Sequence, residues 1–178
     1  PMILTKKYGT DALRMGLVVG NTPGTDLSLS EDKIKAYKLF SNKLWNITRF
    51  VLSSTEHWDG KKPEKLDSVD STNIEELDKL VADVTKDMDN YRFYLAAEKL
   101  YHYVWHTFAD KILEESKERL KSENMSVINS TEYTLHYILE TSLKLLHPFM
   151  PFITEEIWSN IKKDEDKLLM VTPWPKSN

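Results

Sequence analysis

Two prolines three residues apart, Pro148 and Pro151, interrupt an apolar run in "LLHPFMPFITEEIW" (residues 145–158). The residue before a proline is pushed out of the α region, so a helix arriving from the N-terminal side must stop near His147. Pro151 suits the first turn of a new helix, where its missing N–H leaves no bond unmade. Glu155 and Glu156 then lie near the positive end of that helix. The chain is forced to turn at "HPFMP" and resume at once, with Phe149 and Phe152 placed to cover the end of what the two helices pack against. Such a corner between two apolar helices points to a helical bundle.

The remaining punctuation agrees. A short helix over residues 2–8 should stop at Gly9, which tolerates positive φ, and Thr10 is positioned to cap "TDALRMGLVV" with Asp11 in its first turn. "GNTPGTD" is turn chemistry. Ser30, followed by Glu31 and Asp32, opens a helix reaching about Thr55. Residues 56–71 read as a loop, and Thr72-x-x-Glu75 has capping-box spacing for a helix over 73–88. Asn90 is read as the cap of a long helix over 91–121, residues 124–131 as a connection, and 132–146 as the helix entering the proline corner. The tail "LLMVTPWPKSN" reads as extended, with Trp174 as its anchor. The expected fold is all-α, an antiparallel bundle over 30–162 with a helical connector (1–29) and an extended tail (163–178). Forty per cent apolar residues and five glycines in 178 suit a packed helical chain.

Several chemistries lack support. Without cysteine there is no disulfide or thiolate metal site. "GNTPGTD" matches neither a Walker loop nor the dinucleotide fingerprint, and no nucleophile elbow is present. Glu98, His102 and His106 recur every four residues, but nothing in the sequence supplies further metal ligands. No apolar run approaches membrane length and no signal peptide is visible, so a cytoplasmic protein outside any membrane is expected. Starting at proline, the chain reads as part of something longer.

Net charge is −4, yet residues 1–52 carry eight Lys or Arg against four acids. On the helix "SEDKIKAYKLFSNKLWNITRFVLSS", Tyr37, Phe40, Leu44, Ile47 and Val51 share the core face. Lys35, Lys38, Asn42, Asn46 and Arg49 share the opposite flank, and Lys43 and Phe50, seven apart, line its margin. Such a stripe combines cations for phosphates, amides for base edges and an aromatic able to stack. The bland alternatives are a solvated polar face, or Asn46 buried in a network with Asp110. Trp45, Trp105, Phe149, Phe152 and Trp158 are read as core and corner packing.

The strings "YGTDALR", "NTPGTDLSLSED", "NKLWNITRFVL", "AAEKLYHYVWHTFAD" and "LHPFMPFITEEIW" resemble, in that order, the anticodon-binding domain of class I aminoacyl-tRNA synthetases. "NKLWN" and the closing "TPWP" resemble the valyl-tRNA synthetases most closely, with the isoleucyl enzymes next. A protein-interaction bundle without RNA is the rival of another class. The resemblance covers nearly the whole chain and implies a parent that joins valine to its tRNA using ATP. The Lys-Met-Ser-Lys-Ser and His-Ile-Gly-His signatures, the editing domain and the coiled coil have no counterpart here, so no catalysis and no cofactor are expected of this chain alone. Its partners would be the anticodon stem-loop of a valine tRNA and the catalytic domain of the same chain.

Carried over by residue, the resemblance places tRNA contact on Lys43 and Phe50, with Asn42, Asn46 and Arg49 beside them. The basic residue expected near the start of that helix is replaced by Ser28 and Asp32, and Lys33 or Lys35 stands in. "FADKILEESKERL" departs from the family's aromatic-rich continuation. Asp11 and Arg14 fall in the connecting segment, where local capping and an ion pair compete with contact to the tRNA stem.

Overall fold

The computed structural model describes residues 2–22, 24, 26, 29–161 and 168–177, and no strand occurs among them. α1 (Met2–Tyr8) and α2 (Thr10–Val18) precede α3 (Glu31–Ser54) and α4 (Ser68–Asp89). Next come α5 (Phe93–His102), a π-helical segment (Tyr103–Ile112) and α6 (Leu113–Arg119), which run on as one rod because the junction residues keep helical dihedrals. α7 (Met125–Leu146), α8 (Pro151–Ile161) and a 3-10 turn (Leu169–Val171) follow. The expected all-α bundle is the fold that forms.

Its core is one continuous cluster. Phe40, Leu44, Ile47 and Val51 of α3 meet Leu77, Val81 and Val84 of α4, Leu100 of α5, Phe108 of the π segment, and Leu135, Ile138, Leu139 and Leu143 of α7. Each of these is at most 2% exposed. The connector joins this core: Ala12 and Met15 of α2 are buried in it. A Cβ added at Gly16 would lie 3.3 Å from Ile34 Cγ1, so the missing side chain lets α2 approach α3 closely. Gly9 ends α1 at a φ of 92°, in the positive region expected of it.

Helix boundaries moved where caps proved to be other residues. Thr10 is the first residue of α2, not its cap; Gly9 precedes it and supplies no side-chain bond. α4 starts at Ser68, not at 73, because Asp67 Oδ1 accepts from Val69 N at 3.1 Å. Thr72 lies inside that helix and donates back to Ser68 O. Asn90 closes α4 and does not open the next helix. Beyond it Tyr91 takes φ 57° and Arg92 N reaches back to Asp87 O at 2.8 Å, a Schellman-type stop that delays α5 to Phe93. α7 starts at Met125, capped by Asn124, so the supposed connection over 124–131 is helical.

The proline corner forms as expected, with α7 ending at Leu146 and α8 starting at Pro151. Phe149 is buried there, but Phe152 is 63% exposed. Two positions from buried Thr154, Phe152 is rotated about 200° from it around α8 and faces outward. Trp45 likewise is 37% exposed, since it stands one residue beyond core Leu44. Asp11 and Arg14 both hydrogen-bond to the corner. Asp11 accepts from Phe152 N (3.3 Å) and Ile153 N (2.7 Å), capping α8. Arg14 donates to Pro148 O (2.8 Å) and Phe149 O (3.1 Å), carbonyls of the turn itself. On the far side, Glu155 accepts from Leu169 N at 2.8 Å, and Trp174 Nε1 donates to Thr85 Oγ1 at 2.8 Å, tying the tail to α4. Among its described residues the tail holds a 3-10 turn over Leu169–Val171 and so is not wholly extended; residues 162–167, which include its boundary, lie outside the described residues.

Candidate nucleic-acid interface

Ser30 starts the element that carries the site. Its Oγ accepts from Lys33 N at 3.2 Å, and with Glu31 and Asp32 in the first turn α3 runs unbroken for 24 residues. With one face in the core, the periodicity pushes the polar residues outward. Lys35, Lys38, Asn42, Asn46 and Arg49 are all exposed. Lys35, Asn42, Asn46 and Arg49 have no side-chain partner among the described residues. Lys38 Nζ donates to Lys7 O at 3.2 Å. Amides and cations without protein partners on one helix face are available to a ligand.

The two margin residues are more tightly set. Lys43 Nζ lies 2.9 Å from Asp110 Oδ1 and 5.5 Å from the centre of the Trp105 ring. That ammonium holds the Asp110 carboxyl below its ordinary range, chiefly through the hydrogen bond. His106 Nδ1 is 3.5 Å from the other carboxylate oxygen. Trp105 is fixed in turn by Phe40, whose ring stacks at 6.2 Å, and by Tyr101 at 5.7 Å. Phe50 is half-buried against the core, and Lys117 Nζ of α6 stands 5.9 Å from its ring centre. Lys43, Asn46 and Phe50, at 3 and 4 spacing, thus form a strip bordering the π segment. Asn46 is not buried with Asp110; Lys43 takes that carboxylate and leaves the amide free at the surface.

Two other candidates are engaged elsewhere. Lys33 Nζ turns toward the end of α2 and donates to Val19 O at 2.6 Å. Arg14 faces the proline corner. No group of three metal-ligating side chains occurs among the described residues; the His102 and His106 rings lie 5.6 Å apart and tilted by 30°. No helix among the described residues is long and apolar enough to cross a membrane. Trp105, read from the sequence as packing, and Asp110, weighed there only as a partner of Asn46, are the residues that hold Lys43. The "VWHTFAD" string does not reveal that a π turn carries both toward that lysine.

A polar, partly cationic helix face with a half-buried aromatic at its edge has the chemistry that suits contact with nucleic acid. Residues 70–178 match the family described as "Anticodon-binding domain of tRNA ligase", and the chain belongs to that family. Over its full length it is similar to valine--tRNA ligases. That of Carboxydothermus hydrogenoformans is 40% identical over 178 residues, covering 99% of this chain and 20% of that protein. That of Thermotoga maritima is 38% identical over 176 residues, covering 99% and 20%. The chain therefore spans about a fifth of the length of these curated relatives. Among solved structures, the LeuRS of Agrobacterium radiobacter K84 in ternary complex with tRNA and LeuAMS superposes with a TM-score of 0.79 at 19% identity, covering all of this chain and 21% of that one. Methionyl-tRNA synthetase of Mycobacterium tuberculosis superposes at 0.74 with 23% identity, covering 89% and 34%. At those identities the superpositions speak for the fold alone.

Proposed function

We propose that this chain is the helical domain with which a valine--tRNA ligase grips and reads the anticodon stem-loop of its tRNA. The parent would attach valine to that tRNA with ATP in the cytoplasm, using a catalytic domain elsewhere in the same chain. The observation that carries the RNA-reading role is the unpartnered stripe on α3: Lys35, Asn42, Asn46 and Arg49 beside Lys43 and Phe50. Cations on this face set register on phosphates, the amides meet base edges, and Phe50 offers a face on which an unpaired base stacks. Full-length similarity to valine--tRNA ligases supports valine as the amino acid. Arg14 and Lys33, occupied within the protein, serve the scaffold in this reading.

The test is a fluorescence titration of the chain with RNA hairpins at about 50 mM salt, where phosphate contacts are little screened. One hairpin carries a valine anticodon loop; a second differs at the middle anticodon base. A preference for the first is expected, and Lys43→Ala combined with Phe50→Leu should weaken binding more than about tenfold, as lost stacking and a lost polar contact predict. Equal binding to both hairpins would shift the assignment toward an isoleucyl enzyme or place specificity in other domains. No binding to either would favour a protein-interaction bundle.

A further inference from the structure

The ten-residue π segment runs through the middle of an otherwise α-helical rod, beside the residues that border the stripe. On an α-helix, residues five apart point about 140° away from each other. Bonding from i to i+5 widens the turn and brings residues five apart toward one side. Trp105 and Asp110 are five apart, and both face the same Lys43 ammonium, at 5.5 Å and 2.9 Å. The winding therefore builds a pair that an α-helix of the same sequence would split. The pair stays at the surface: the Lys43 side chain is 31% exposed and that of Asp110 46%. His106 Nδ1 stands 3.5 Å from the carboxylate's other oxygen.

A carboxylate in contact with the ammonium is a poor arrangement for gripping phosphate. It cancels the cation and sets a like charge against the phosphate oxygens. What the contact does provide is a donor and an acceptor side by side, held by a ring beneath the cation. The Watson–Crick edge of an unpaired base presents a matching acceptor and donor on its ring nitrogen and exocyclic group. A carboxylate accepts from an exocyclic amine, as it does from cytosine N4.

We propose that Lys43 and Asp110 act together as a base-edge reader, pairing with the Watson–Crick edge of one unpaired loop base, and that Lys43 is not a phosphate contact. This rests on the RNA-reading role proposed above. The two alternatives make opposite predictions for the loss of the carboxylate.

The experiment titrates the 178-residue chain and its Asp110→Ala and Asp110→Asn variants with hairpins changed at each anticodon position in turn. Thermal melting of each variant checks that the fold is kept; Asp110→Asn preserves shape should the alanine variant melt early. A reader of base edges loses about tenfold on the preferred hairpin with Asp110→Ala, changes little on the others, and so loses its preference at one position. Asp110→Asn, with one acceptor oxygen left, should fall between. If both variants bind every hairpin more tightly and to the same extent, with a steeper salt dependence, Lys43 grips phosphate and the proposal is overturned. Variants that bind all hairpins as the wild type does overturn it too. Wild-type binding that is equal across all hairpins removes base reading while sparing RNA binding. Wild-type failure to bind any hairpin removes the RNA role itself.

Discussion

Asp11 occupies the first turn of its own helix, where an acid favours the dipole, yet its carboxylate is 7% exposed and caps α8 more than 140 residues away. Removing it leaves Phe152 N and Ile153 N without their acceptor, so Asp11→Ala should lower stability by about 1–3 kcal/mol, read by urea denaturation. Burial raises the Asp11 carboxyl above the 3.8 of a free side chain, and the two backbone bonds only partly offset it. The folded state thus favours the protonated form. That contribution is fully present below the unfolded value and is lost as pH rises through the raised folded value. Wild type should gain stability relative to Asp11→Asn as pH falls from about 6 to about 3. A difference that is flat, or that runs the other way, would contradict this account of the cap. An acid three positions before Arg14 was legible as a motif; that each residue reaches one half of the proline corner was not, because neither partner is local.

At the level of elements, α4 is held at its start by a network that joins three helices. Arg119 donates to Asp70 Oδ2 at 2.6 Å, to Asp67 Oδ1 at 3.0 Å and to Thr131 Oγ1 at 3.2 Å. Ser130 Oγ adds a bond to the same Asp70 oxygen at 2.7 Å, and Asp70 is only 2% exposed. Arg119→Met would leave that carboxylate buried without its counter-ion, a loss of about 3–5 kcal/mol. Asp67→Ala removes mainly a helix cap and should lose about 1 kcal/mol. The reverse order in urea melts would show that the network does not act as described. This explains the misplaced start of α4: the Thr72-x-x-Glu75 spacing was visible, whereas Asp67 is set as a cap by an arginine 52 residues further on. The π segment was invisible for a related reason, since ten residues of good helix pattern do not show which turn they wind.

Residues 1–52 carry eight Lys or Arg against four acids in a chain of net charge −4, so RNA affinity on the proposed α3 face should depend steeply on salt. If about four phosphates are neutralised, log K should fall against log salt with a slope of roughly −3. Lys35→Ala, which removes a free surface cation, should make that slope shallower by nearly one and weaken all hairpins alike. Titrations between about 50 and 200 mM salt measure both effects, and a slope near zero would argue against phosphate contact on this face.

The sequence by itself determined that the chain is helical, which face of α3 is buried, where the proline corner falls and which polar residues face outward. Those properties follow from local rules: a 3.6-residue period, the backbone restrictions of proline and glycine, and the preference of serine, aspartate and asparagine for helix starts. Only the tertiary structure decided that Asp110 belongs to Lys43 and not Asn46, that Asp11 and Arg14 clamp the corner, and that Trp45 and Phe152 stay exposed. Each of those outcomes depends on groups brought together from distant helices, and on how far each helix is turned about its axis when the core closes.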